Sequence, residues 1–130
     1  MMKLSWMMQR ATTAVAPLPD QWQTNHMSNI LYTSIIGCRV HPGREADFMA
    51  AFEACGMLRR PRAIAGFVSG QLLQQHDDST RFTVVALWRT PEAYAEWGRK
   101  SQAGVEEESL RSLSDCLAEL TPGKLFGPIS

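Results

Sequence analysis

RFTVVALWRTPEAYAEW, residues 81–97, is the stretch on which the fold turns. Its first part, Arg81 to Arg89, is dense in β-branched and aromatic side chains and holds no glycine or proline, the composition of a largely buried strand. Thr90-Pro91-Glu92 then opens a helix, with Thr90 as N-cap and Pro91 at the first helical position, where a missing N–H costs nothing. Alternation places Phe82, Val84, Ala86 and Trp88 on one face of the strand. The run Val84-Val85-Ala86-Leu87 is nevertheless apolar on both faces. Helices packed on one face of a sheet leave the other bare, so a second copy of the chain is expected to cover it and make a homodimer.

Upstream, Gly66 to Leu73 is a strand of moderate quality in which Gly70 marks a bulge or a close backbone approach. His76 to Thr80 supplies turn chemistry, so this strand and the next form an antiparallel hairpin. Further upstream, ILYTSIIGCRV (residues 30–40) is a buried strand. Pro42 and Gly43 then turn the chain into a helix whose Phe48, Ala51, Phe52 and Cys55 recur at helical spacing. Downstream, Tyr94 and Trp97 share one helix face. After Gly104, the spacing of Leu110, Leu113, Leu117 and Leu120 predicts a helix ending near Thr121-Pro122-Gly123, with Glu106 to Glu108 at its N-terminal end where the macrodipole favours them. Lys124 to Ile129 is a short last strand. The order strand, helix, strand, strand, helix, strand is the split β-α-β pattern of an α+β, ferredoxin-like domain with a four-stranded antiparallel sheet, of the dimeric α+β barrel type.

A length of 130 residues suits one domain, placed at residues 30–130. Residues 1–29, interrupted by Pro17 and Pro19, offer neither strand alternation nor an uninterrupted helix and are expected to be a flexible leader. Thirteen Lys and Arg balance thirteen Asp and Glu without a long single-sign run, which points away from nucleic acid and from an anionic membrane. No apolar run is long enough to span a bilayer. Cys38, Cys55 and Cys116 stand apart with no C-x-x-C pair, as core fillers in a reducing cytoplasm would. His76 beside Asp77 and Asp78 is a poor metal set, because three adjacent loop residues do not converge on one ion. No metal is expected, and the natural partner is a small molecule.

The segments VHPGREADFMAAF, Ala65-Gly66-Phe67 and ALWRTPEAYAEW resemble, in order and spacing, the antibiotic biosynthesis monooxygenase family, over roughly residues 30–129. The resemblance implies a dimeric α+β barrel and a monooxygenase that works without a cofactor on an aromatic polyketide or phenolic small molecule. It also implies that Trp88 and Tyr94, six residues apart, line the substrate cavity, and that Arg111 stands near a family arginine on the later helix. Where the family carries a cavity asparagine, four residues before the Trp, this chain has Val84, so one amide contact to a substrate oxygen is missing. Heme-degrading relatives need a histidine in the helix after the strand, and PEAYAEWGRKSQAG has none.

An oxygenase of this kind removes a proton from an electron-rich substrate, stabilises the anion and keeps bulk water out. Phe82, Val84 and Ala86 make an apolar wall for a planar ring, with Trp97 beside it, while Trp88 stacks. The Tyr94 hydroxyl hydrogen-bonds a substrate oxygen, and Arg111 stabilises negative charge. Each of these residues also has a plainer role, since a Trp on an apolar strand face is most often core and an arginine among serines is usually solvated. A non-enzymatic binder of a small apolar ligand and a cyclase or isomerase in the same cavity are the alternatives.

Overall fold

A computed structural model describes residues 30–129; the expected leader lies outside the described residues. In chain order the elements are β1 (Tyr32–Val40), α1 (Glu45–Ala54), a 3-10 turn (Arg60–Ala63), β2 (Phe67–Gln75), β3 (Asp78–Trp88), α2 (Pro91–Lys100), α3 (Glu107–Asp115), β4 (Leu117–Leu120) and β5 (Lys124–Phe126). All pairings are antiparallel, in the order β2-β3-β1-β4, with β5 also on β1. This is the expected α+β, ferredoxin-like architecture.

Five strands occupy four ladder positions. β4 pairs with β1 at Cys38 to Val40 and β5 pairs with the same side of β1 at Thr33 to Ile35. Between them the Thr121 N–H donates to the Gly37 carbonyl at 2.8 Å. Pro122 follows, and with no N–H to give it interrupts the ladder and splits one edge strand in two.

The expected final helix is shorter than its leucine spacing suggested. It stops at Asp115, and Leu117 and Leu120 belong to β4. A register shift between Arg39 and Val40 lets Leu117 oppose Val40 while Leu120 opposes Cys38. Two residues three apart therefore reach the same face of a strand, because a bulge adds the residue that alternation lacks. A bulged strand and a helix leave the same trace in a leucine pattern.

The hairpin turn is shorter than expected, since β3 begins at Asp78, and the last strand ends at Phe126, but the remaining local signals hold. Phe48, Ala51 and Phe52 form the buried face of α1, and Phe48 packs on Phe82 of β3 with ring centroids 4.7 Å apart. Thr90 caps α2 by accepting the Ala93 N–H at 3.1 Å, and Pro91 occupies the first turn. The β1 residues Ser34, Ile36 and Val40 face the helices beside the buried β3 side chains. On the other face Val85 and Leu87 are half-buried, with Ile35, Leu73 and Phe126 exposed nearby. No described helix is long and apolar enough to cross a membrane.

Cys55 and Cys116 are buried and Cys38 half-buried, as apolar fillers; burial pushes the Cys38 thiol up to about 12, which removes it as a nucleophile.

Candidate functional site

A cavity lies between the helix-facing side of the sheet and α2. Its floor is Val84, Ala86 and Trp88 of β3 with Ser34 and Ile36 of β1, and Tyr94 and Trp97 of α2 form its roof. Met57, Leu58 and Pro61, from the segment after α1, and Phe67 of β2 close the side. The cavity volume is about 10 Å³. That is room for roughly one water, so a planar ring enters only if a wall moves.

The sequence puts Trp88 at the end of β3, where alternation turns it inward, and it is 1% exposed. Its indole N–H donates to Ser34 Oγ at 2.9 Å, a buried bond that fixes the ring plane. Phe67 meets it edge-on at 5.2 Å and 69°, and Tyr94 does so at 5.6 Å and 61°. Two edge-to-face contacts hold the indole, each a favourable arrangement of ring quadrupoles.

Tyr94 sits in the first turns of α2 and is 2% exposed. Its hydroxyl is fully enclosed, yet no described residue hydrogen-bonds it. Burial raises the phenol above its ordinary range, so at neutral pH it is an uncharged O–H donor. Gly123 passes over it: a Cβ there would stand 2.6 Å from the hydroxyl oxygen and 2.7 Å from Ile36 Cγ1. Only glycine lets the β4–β5 connection close the roof at this point.

Trp97 is covered from outside by Arg60, whose guanidinium carbon lies 5.3 Å from the ring centre. The same guanidinium donates to the carbonyls of Cys55 (3.1 Å), Ser101 (2.7 Å), Lys100 (3.0 Å) and Ala103 (2.8 Å). A cation at the C-terminal end of α2 meets the negative pole of that helix, and its planar fork ties the segment before β2 to α2.

The structure thus brings together Trp88, Tyr94, Val84, Ala86 and Trp97. It separates two residues from them. Phe82 shares the strand face but is consumed in the core against Phe48, outside the cavity wall. Arg111 is exposed on α3 and pairs with Glu107 at 3.1 Å, one helical turn away. Since α3 packs on α1, its arginine turns to solvent and does not reach the cavity. Among the described residues no three His, Cys, Asp or Glu side chains are grouped to hold a metal.

Sequence reasoning missed Ser34, Ile36, Met57, Leu58, Pro61, Phe67 and Arg60. Alternation carried back from Val40 reaches Ile36 and Ser34, so those two were within reach. Nothing in LRRPR distinguishes Arg60 from its neighbours, because three of its four acceptors are backbone carbonyls some 40 residues on.

A model of the antibiotic biosynthesis monooxygenase family matches residues 31–104, more than half of the chain. No curated protein matches. Several solved structures share the fold. A protein of Nitrosomonas europaea assigned to the same family is 21% identical, with TM-score 0.60, covering 75% of this chain and 89% of that one. A conserved protein of Methanosarcina mazei is 15% identical with TM-score 0.62, covering 79% and 97%. SnoaB, a cofactor-independent oxygenase from Streptomyces nogalater, is 21% identical with TM-score 0.56, covering 78% and 95%. At these identities the likeness concerns the fold.

Proposed function

The chain belongs to the antibiotic biosynthesis monooxygenase family, and on that premise we propose that it is a cofactor-independent monooxygenase of planar phenolic or polycyclic aromatic small molecules. The observation that carries this reading is the Tyr94 hydroxyl, buried without a partner beside the Trp88 indole. An enclosed donor left unpaired by the protein costs stability, and a substrate oxygen would complete it.

Conversion of a ring methylene to a carbonyl needs no external reductant. R₂CH₂ and O₂ give R₂C=O and H₂O, with one oxygen atom retained and the other leaving as water. The substrate itself supplies the electrons once a proton is lost. The chain's part is to hold the ring against Trp88, to donate the Tyr94 O–H to the enolate or phenolate oxygen as charge develops there, and to exclude water. Val84 and Ala86 add an apolar surface without hydrogen bonds, so orientation falls to Tyr94 and Ser34.

Oxygen uptake with anthrone tests this. One O₂ consumed per anthraquinone formed, faster than autoxidation and slowed in Tyr94→Phe, is the expected result. No uptake above background with anthrone or with hydroquinones would overturn it. Val84, which contributes no amide to the wall, favours a second reading in which the cavity binds such molecules without oxidising them; tight binding with no oxygen consumption would establish that instead.

The same reading makes the chain a homodimer. Ile35 (39% exposed), Leu73 (45%) and Phe126 (39%) crowd the sheet face away from the helices, and a second copy laid on this face would bury them. Sedimentation at micromolar concentration should give twice the monomer mass, and a monomer independent of concentration would refute it.

A further inference from the structure

The cavity is small, and its wall is uneven. Leu58 and Phe67 are the lining residues that are only half-buried; the others are buried. Both also line a groove of about 480 Å³ on the outer side of the molecule, together with Arg62, Val68, Ser69 and Gly70. These two side chains are the ones shared by a water-sized cavity and a groove large enough for a fused-ring molecule.

The backbone around this pair is shaped to it. β2 carries a register shift between Phe67 and Ser69, so the odd-numbered Phe67 reaches the same face as Gly70 and Leu72. Without the bulge its ring would turn to the far side of the sheet. Gly70 lies directly against both gate residues: a Cβ there would stand 3.0 Å from Leu58 Cδ2 and 3.4 Å from Phe67 Cζ. Any side chain at 70 would fill the space into which the two can swing. Leu58 belongs to the turns between α1 and the 3-10 segment, outside regular structure.

Arg62 stands at the groove's rim, exposed, and its guanidinium has no hydrogen bond or ion pair among the described residues. The neighbouring cations are engaged: Arg59 pairs with Glu53 at 3.3 Å, and Arg60 is held by four carbonyls.

We infer that the aromatic substrate enters between Leu58 and Phe67, that these side chains are the movable wall of the site, and that Arg62 selects substrates carrying an anionic oxygen, a carboxylate or an ionised phenol. The inference rests on the site reading above. The edge contact of Phe67 on Trp88 favours the closed wall, and a contact of that kind lowers the open population roughly two- to tenfold. Because the closed cavity has no room for a ring, the bound ligand keeps the wall displaced, so the closed ground state slows association and weakens affinity by the same factor while dissociation changes little. Arg62 instead acts on the approach of charged ligands, and so on their association rate and its salt dependence.

Stopped-flow fluorescence with 2-naphthol and with 3-hydroxy-2-naphthoate, the neutral and anionic members of a matched pair, separates these effects. Trp88→Phe identifies the signal from the cavity. In Phe67→Ala, and in the milder Phe67→Leu and Leu58→Ala in case the first fails to fold, kon of both probes should rise by roughly two- to tenfold with koff little changed, so that Kd falls by the same factor. Gly70→Val should lower kon and raise Kd. Arg62→Gln should slow association of the naphthoate, abolish most of its salt dependence and leave 2-naphthol unchanged. Faster dissociation with unchanged association in the Phe67 and Leu58 variants would make these residues fixed walls, overturning the gate while leaving the site standing. Equal effects of Arg62→Gln on both probes would overturn the charge selection. If neither probe reaches Trp88 in wild type or in the opened variants, the site reading falls and the gate with it.

Discussion

Replacing Tyr94 by phenylalanine should make the protein more stable while impairing what it does. Tyr-to-Phe changes in a protein interior commonly destabilise, because the hydroxyl usually has a partner. Here the ring is 2% exposed and the hydroxyl has no partner among the described residues. In the unfolded chain that hydroxyl is solvated, and no described residue replaces that water on folding, at a cost of roughly 1–3 kcal/mol. Phenylalanine keeps the ring against Trp88 and removes the cost. The void left by one oxygen subtracts a few tenths of a kcal/mol at about 24 cal/mol per Å³. The net gain is about 1–2 kcal/mol, which for a domain of this size raises Tm by several degrees, roughly 4–8 °C per kcal/mol for the smallest domains and half that for larger ones. Guanidinium denaturation of both proteins should show a higher midpoint at an unchanged slope, since the surface exposed on unfolding is the same. Oxygen uptake with anthrone should fall in the same variant. A lower midpoint with intact folding would show that the hydroxyl is satisfied in the folded protein, and the argument that it awaits a substrate oxygen would fail.

Ser34→Ala removes the acceptor of the Trp88 indole N–H from a buried site, and is expected to cost about 1–3 kcal/mol in a denaturant titration, with the indole emission shifted. Arg60→Lys replaces a planar fork by a single ammonium that cannot satisfy four carbonyls while covering Trp97; a loss of roughly 2–3 kcal/mol is expected, and an unchanged midpoint would show the clamp to be idle. Burial raises both the Cys38 thiol, up to about 12, and the Tyr94 phenol, so each holds its proton more tightly folded than unfolded. Their contribution is therefore intact below about pH 9, the ordinary value of a thiol, and is lost as pH rises beyond it. Unfolding free energies measured across the alkaline range should decline in the wild type and decline less in Cys38→Ala and in Tyr94→Phe.

What could be read without coordinates was whatever is written locally. The alternation in Arg81 to Arg89, the Thr90-Pro91 helix start and the helical spacing of Phe48, Ala51 and Phe52 depend on neighbours within a few positions, and each reappears in the structure. The pairing of Trp88 with Tyr94 was legible for the same reason, since a strand end and the first turns of the helix that follows must lie close together. Tertiary structure alone decided the rest. Leu117 and Leu120 became a strand because of a register shift against β1, some 80 residues earlier. Arg111 turned to solvent because α3 docks on α1, and Met57, Leu58 and Phe67 joined the cavity through contacts between distant segments. The unpaired state of the Tyr94 hydroxyl is of this kind as well. Whether a polar group is satisfied depends on every atom that folding brings around it, and side-chain spacing carries no record of those atoms.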